Sequence, residues 1–163
     1  MKLSTAKQKF ICEWGKLGSN WGINKAMGQI HGLLLVACDD LCGDDIMTEL
    51  KMSRGNVNMN LRALQDWQLV HKVYKPGQRK DYYKAEKDLS KVLRIIVEHR
   101  KKKELDPLME LLEEVECVEP KCRKSSEFCQ MVEQLKSFSV KADRALKTIT
   151  SSKTGWLSMI INR

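Results

Sequence analysis

Along most of the chain, apolar side chains return every three or four residues, the period of a helix with one buried face. Trp14, Leu17 and Trp21 open the pattern. Ile23, Met27, Ile30 and Leu34 continue it after a break near Ser19-Asn20, where Asn20 or Asn24 supplies a helix cap. Glycine weakens a helix, so the pair Gly28 and Gly32 inside the second segment predicts the close approach of a neighbouring backbone. Beyond Asp39-Asp40 and Gly43, the stretch DDIMTELKM puts Ile46, Met47 and Leu50 on one face and Asp44 and Asp45 in the first turn, where the helix dipole favours negative charge. A second short helix starts after Ser53, a residue suited to the N-cap, and reaches about Trp67, burying Val57, Leu61 and Leu64.

The period then changes. LVHKVY at 69–74 alternates and is rich in β-branched residues, KPGQRK carries a Pro76-Gly77 turn, and DYYKA at 81–85 returns, which predicts a strand, a turn and a strand. Trp67, Leu69 and Val73 are expected in the domain core. Helical spacing resumes near Ser90 with Leu89, Val92, Leu93, Ile96 and Val97, and Asp106-Pro107 marks a restart or kink before Leu108, Leu111, Leu112 and Val115. Phe128, Met131, Leu135, Phe138, Ala142, Ala145 and Ile149 alternate three and four apart, a narrow coiled-coil-like stripe that needs a partner helix. GWLSMIIN at 155–162 is strongly apolar and is expected to be buried by another helix or subunit.

Charge adds a direction to this outline. Residues 70–103 hold 12 Lys or Arg against 4 Asp or Glu, which accounts for the whole net charge of +8 in a chain of 163 residues. Such a local block points to a polyanion or an acidic partner, although KKK at 101–103 also fits a solvated helix face. No apolar run approaches the about 18 residues of a membrane span and the N-terminus lacks a signal-peptide pattern, so a cytoplasmic protein with no membrane partner is expected. Six cysteines, at 12, 38, 42, 117, 122 and 129, and three histidines show no zinc-type spacing, so free thiols, no metal and no cofactor are expected. Gly-rich phosphate loops, nucleophile elbows and HExxH are absent from the sequence, so no enzyme is expected.

A helix-turn-helix at about 44–67 followed directly by a basic hairpin adds up to a mainly α fold with a winged helix-turn-helix domain and a small β-hairpin wing. The expected organisation is an N-terminal helix over 1–22 for dimerisation or packing, the DNA-binding domain over 23–88, and a long linker helix with C-terminal helices over 89–163 forming a dimerisation region. Two alternatives stand beside DNA binding: a winged-helix protein-interaction module, and a regulator that responds to thiol oxidation or metal through its cysteines.

The run IMTELKMSRGNVNMNLRALQDWQLVHKVYKPGQRKDYYKAEKD resembles MarR-type winged-helix regulators and, more closely, their GbsR-like branch. That branch shares a Ser-x-Gly-Asn-Val-Ser start to the recognition helix and a Pro-Gly-x-Arg wing running into Tyr-Tyr. EWGKLGSNWGINKAMGQIHGLLLV is similar to the branch's Trp-Gly segment and Gly-Arg-Ile helix, so the resemblance covers roughly residues 10–115, with Gln29 in place of the usual Arg and Asn58 in place of the usual Ser. It implies a homodimeric transcriptional regulator, usually a repressor, with dimer contacts from the terminal helices and control by a small molecule. Relatives that respond to choline-type compounds suggest an aromatic cage, for which Trp14, Trp21, Phe128, Phe138 and Trp156 are available, although aromatics at helical spacing equally fit a packed core.

On the DNA-binding elements, Arg54 and Arg62 suit guanine edges or phosphates, and Asn56 and Asn58 suit adenine edges or phosphates. Ser53 presents helix N-terminal amides to a phosphate, and Lys75, Arg79 and Lys80 on the wing suit phosphate or minor groove. With Val57, Leu61 and Leu64 inward, Gly55, Met59 and Arg62 point outward, Asn56 and Asn58 flank that row, and Asn60 lies at the core boundary, where it is expected to bond a neighbouring backbone.

Overall fold

The structure is a computed structural model that describes residues 1–20, 22–115 and 123–151. Its elements are α1 (Leu3–Asn20), α2 (Lys25–Val36), β1 (Leu41–Cys42), α3 (Gly43–Leu50), α4 (Arg54–Asp66), β2 (Val70–Val73), β3 (Tyr82–Ala85), α5 (Leu89–Arg100), a π-helical turn at Lys101–Leu105, α6 (Asp106–Glu114) and α7 (Arg123–Ser151). They divide into two compact units, Met1–Val92 and Leu93–Arg163. Among the described residues no helix is long and apolar enough to cross a membrane.

In the first unit, α1 and α2 meet through their glycines. A Cβ placed on Gly28 would lie 2.9 Å from the Cα of Gly15, so two backbones touch where the Gly28 and Gly32 spacing anticipates it. Gly32 answers a different need, since its absent side chain makes room for the Trp14 ring at 3.0 Å. Trp14 stacks on Phe10 at 5.4 Å between ring centroids, and its indole N–H donates to Nδ1 of His31 over 3.2 Å. The Asn24 side chain caps α2 by accepting from the Met27 amide, and the Lys87 ammonium donates to the Ala37 carbonyl at the other end.

The core of this unit is apolar and continuous across its elements. Ile30 and Leu34 from α2, Ile46 from α3, Val57, Leu61 and Leu64 from α4, and Leu69, Val70 and Ala85 from the sheet are all buried. Trp67 and Val73, expected beside Leu69 in the core, are only half-buried, because both stand where their element gives way to a loop. The sheet has three strands in the order β1-β3-β2, all antiparallel, with Lys72 facing Tyr83 and Leu41 also facing Tyr83 from the other side. At the wing tip Pro76 and Gly77 form a type II turn, with Gly77 at φ +78° and the Gln78 amide donating to the Lys75 carbonyl.

Helix α5 widens at its end into the π turn of the second unit before Asp106-Pro107 starts α6. Lys101 is held there by the carboxylates of Asp106 and, at 3.0 Å, Asp143 of α7, which also pairs with Lys147. These cations hold the Asp143 carboxyl below its usual range. Lys102 and Lys103 are exposed, as a solvated face requires. Leu112 and Val132 are buried, whereas Phe128, Met131, Leu135 and Phe138 of the α7 stripe predicted to need a partner helix are exposed, Phe138 by 70%. The apolar segment 155–162 lies outside the described residues.

Two predictions follow from the α1–α2 contact. Gly28→Ala forces backbone apart and should cost about 1–3 kcal/mol, whereas Gly55→Ala, where a Cβ meets nothing within 4 Å, should stabilise slightly; urea unfolding compares them. Burial lowers the His31 pKa from 6.5 to about 4. A base depressed in the folded state contributes stability above its unfolded pKa and loses it as pH falls, so melting temperature should drop from pH 6.5 towards 4 and drop less steeply in His31→Gln.

Candidate nucleic-acid interface

Helices α3 and α4 are joined by a turn made without glycine. Lys51 takes the left-handed conformation at φ +52°, and the Met52 amide donates back to the Met47 carbonyl, which closes α3 before Ser53 opens α4. The Ser53 hydroxyl accepts from the Asn56 amide at 3.4 Å, the predicted cap. At the other end of the pair, the Asp45 carboxylate accepts from the Cys42 amide at 2.8 Å and anchors the start of α3, and hydrogen bonding from the Cys42 thiol and then its amide holds the carboxyl below the usual range.

Along α4 the inward row Val57, Leu61 and Leu64 leaves Arg54, Gly55, Asn58, Met59 and Arg62 exposed on the opposite side. The three asparagines part company. Asn60 is 1% exposed; its carboxamide oxygen accepts from the Asn24 side chain at 2.8 Å, and its NH2 donates to both the carbonyl and the side-chain oxygen of Asn56. The backbone partner expected of Asn60 is therefore one of its own helix, and its tertiary partner is a side chain. Asn56 has its side-chain oxygen committed to Asn60 and offers outward only its NH2, while Asn58 is exposed.

The wing brings a second group of cations to the same side of the domain. Lys80 pairs with Asp44 at 2.8 Å, Lys72 with Asp81 at 2.8 Å, and Lys75 with Asp40 at 3.8 Å while lying 4.2 Å over the Tyr82 ring. Arg54 reaches the same Asp44 at 3.4 Å. Hydrogen bonding and attraction from Lys80, with a smaller contribution from Arg54, hold the Asp44 carboxyl below its ordinary range. Between α4, the start of α3 and the wing lies a recess of about 170 Å³, lined by Asp44, Met47, Arg54, Asn58, Lys80 and Tyr83 among others.

Asp44 and Asp40 thus belong to the surface although the sequence reading assigns Asp44 only to a helix dipole. Tyr74, 83% exposed at the foot of the wing, was missed as well; its place as the outward residue ending LVHKVY is the signal that could have found it. Trp14, Phe128 and Phe138 are the aromatic candidates for a cage among the described residues. Trp14 is engaged with Phe10 and His31, and Phe128 and Phe138 are ten residues apart on α7, about 15 Å along a helix. Trp21 and Trp156 lie outside the described residues, as do Cys117 and Cys122. Cys12, Cys38, Cys42 and Cys129 are free thiols, and among the described residues no three His, Cys, Asp or Glu side chains gather as a metal site would require.

Asn60 supplies the structural test of this surface. Asn60→Leu strands the Asn24 NH2 and the Asn56 oxygen and should cost about 1–3 kcal/mol, whereas Asn58→Ala should stay within about 0.5 kcal/mol of the parent; thermal unfolding distinguishes the two.

No family model matches the chain. It is 26% identical over 143 residues to the HTH-type transcriptional repressor GbsR of Bacillus subtilis (strain 168), a match covering 83% of this chain and 79% of that protein. A crystal structure of a transcriptional regulator superposes with a TM-score of 0.68 at 14% identity, covering 89% of this chain and 95% of the other, a likeness of fold. The sequence likeness and the shared winged-helix architecture together support a MarR/GbsR-like regulator.

Proposed function

We propose that this protein is a sequence-specific double-stranded DNA-binding transcriptional repressor that acts as a homodimer. The observation that carries the reading is the exposed row Arg54, Asn58, Met59 and Arg62 on α4, set beside a wing tip bearing Arg79 and Lys80 and free of apolar cover. A helix with that face enters a major groove, where Arg62 and Asn58 meet base edges and Met59 offers an apolar surface to a thymine methyl group. The wing lies on phosphate or in the adjacent minor groove. Ser53 turns the N-terminal amides of α4 towards a phosphate, and Lys75 supports the wing through Tyr82 and Asp40.

The exposed stripe of α7 supports the homodimer, since Phe128, Met131, Leu135 and Phe138 lie uncovered on one long helix. Two copies paired there present two recognition helices, so the bound sequence repeats with inverted symmetry at about one helical turn. The relative named as a repressor supports the sign of regulation. A small-molecule effector belongs to the same reading.

Selection of bound duplexes from a random library, followed by titration across salt, tests the proposal. The enriched sequences should be pseudo-palindromic, and affinity should fall steeply with salt; salt-independent binding would remove the DNA reading. Arg62→Ala should cost about 1–3 kcal/mol and relax one base position. Arg79→Ala should weaken all sequences alike and reduce the logarithmic salt slope by about one.

A further inference from the structure

We propose that Asp44 sets DNA discrimination by serving as an internal stand-in for a phosphate, holding Arg54 of the recognition helix and Lys80 of the wing until a strand of the duplex takes its place. The inference rests on the DNA reading above and adds to it a carboxylate whose job is selectivity.

Among the described residues Asp44 is the acid that spans the two reading elements. Its two oxygens are divided, Oδ1 to Arg54 at 3.4 Å and Oδ2 to Lys80 at 2.8 Å, whereas the pairs Lys72–Asp81 and Lys75–Asp40 engage the wing alone. It also lines the recess between those elements. When a helix lies in a major groove and a hairpin tip lies in the neighbouring minor groove, the sugar-phosphate strand dividing the grooves crosses the gap between them. That gap is where Asp44 stands, so a carboxylate occupies the path of a phosphate.

The pairs are built to exchange. Asp44, Arg54 and Lys80 side chains are 48%, 74% and 60% exposed, and ion pairs so open to water contribute little. A phosphate entering the recess gains both cations but separates them from Asp44 and then faces its negative charge. Loose, sequence-independent docking meets that opposition in full. A complex that also seats Arg62 and Asn58 on base edges has other contacts to offset it. The carboxylate therefore opposes non-specific binding more than specific binding, and it keeps Arg54 and Lys80 extended across the gap in readiness for the strand.

The test compares the unsubstituted protein, Asp44→Asn and Asp44→Glu on two duplexes across about 50–200 mM salt: the sequence most enriched by selection, and a scrambled duplex of equal length and composition. Asparagine keeps the shape and removes the charge. Asp44→Asn should bind the scrambled duplex roughly three- to tenfold tighter, with a logarithmic salt slope steeper by about 0.9, and the ratio between the two duplexes should shrink. Asp44→Glu should keep the parental slope and ratio. Parallel weakening on both duplexes, or an unchanged slope and ratio in Asp44→Asn, would show a brace and overturn the proposal while leaving DNA binding in place. Absence of salt-dependent binding by the unsubstituted protein would overturn both.

Discussion

The rotation of α4 about its own axis decides what this protein shows to the outside, and one buried amide governs it. Apolar contacts from Val57, Leu61 and Leu64 are non-directional and tolerate several degrees of roll. Hydrogen bonds do not. Asn60 is tied to Asn24 on one side and to Asn56 on the other, and a buried amide that lost these partners would be costly. Because Asn24 is at the same time the cap of α2, the orientation of the exposed row on α4 is referred to the end of another helix. An asparagine, poor as a helix former, is kept because geometry outweighs propensity here.

The second organising element is charge held in balance. The basic block of the sequence faces carboxylates from outside the block: Asp40 and Asp44 on the first unit, Glu104, Asp106 and Asp143 on the second. Lysines on the wing are therefore placed as well as charged. Tyr82 takes part, since a cation over its ring is held without being neutralised.

How far the fold could be read in advance follows from which forces are local. Helices α2, α3 and α4, the Ser53 cap and the Pro76-Gly77 turn were legible because periodicity, capping and turn chemistry act within a few residues. Strand β1 was not, since two residues carry no alternation and form a strand only through pairing with Tyr82 and Tyr83. Left-handed Lys51 and Gln68 carry no glycine to announce them. The π turn carries no local signal, and Asp143, which its Lys101 meets, is about forty residues away in the chain. Of the surface, the outward row of α4 was readable from the helical period, whereas the tie between Asp44 and the wing spans 36 residues and leaves no local trace. The aromatic residues show the opposite failure, because helical spacing alone does not tell packing from a binding wall.

The glycine contact between α1 and α2 has a mechanical side. Most helix pairs touch through long side chains that hop between rotamers, which makes the joint compliant. Here the contact at Gly15 and Gly28 is backbone against backbone, which brings the two helix axes closer than side-chain packing would allow. The N-terminal end of α2 is capped by Asn24, which bonds Asn60 of α4. The spacing of α1 and α2 is thereby set beside the helix whose cap, Asn24, also fixes Asn60 of α4.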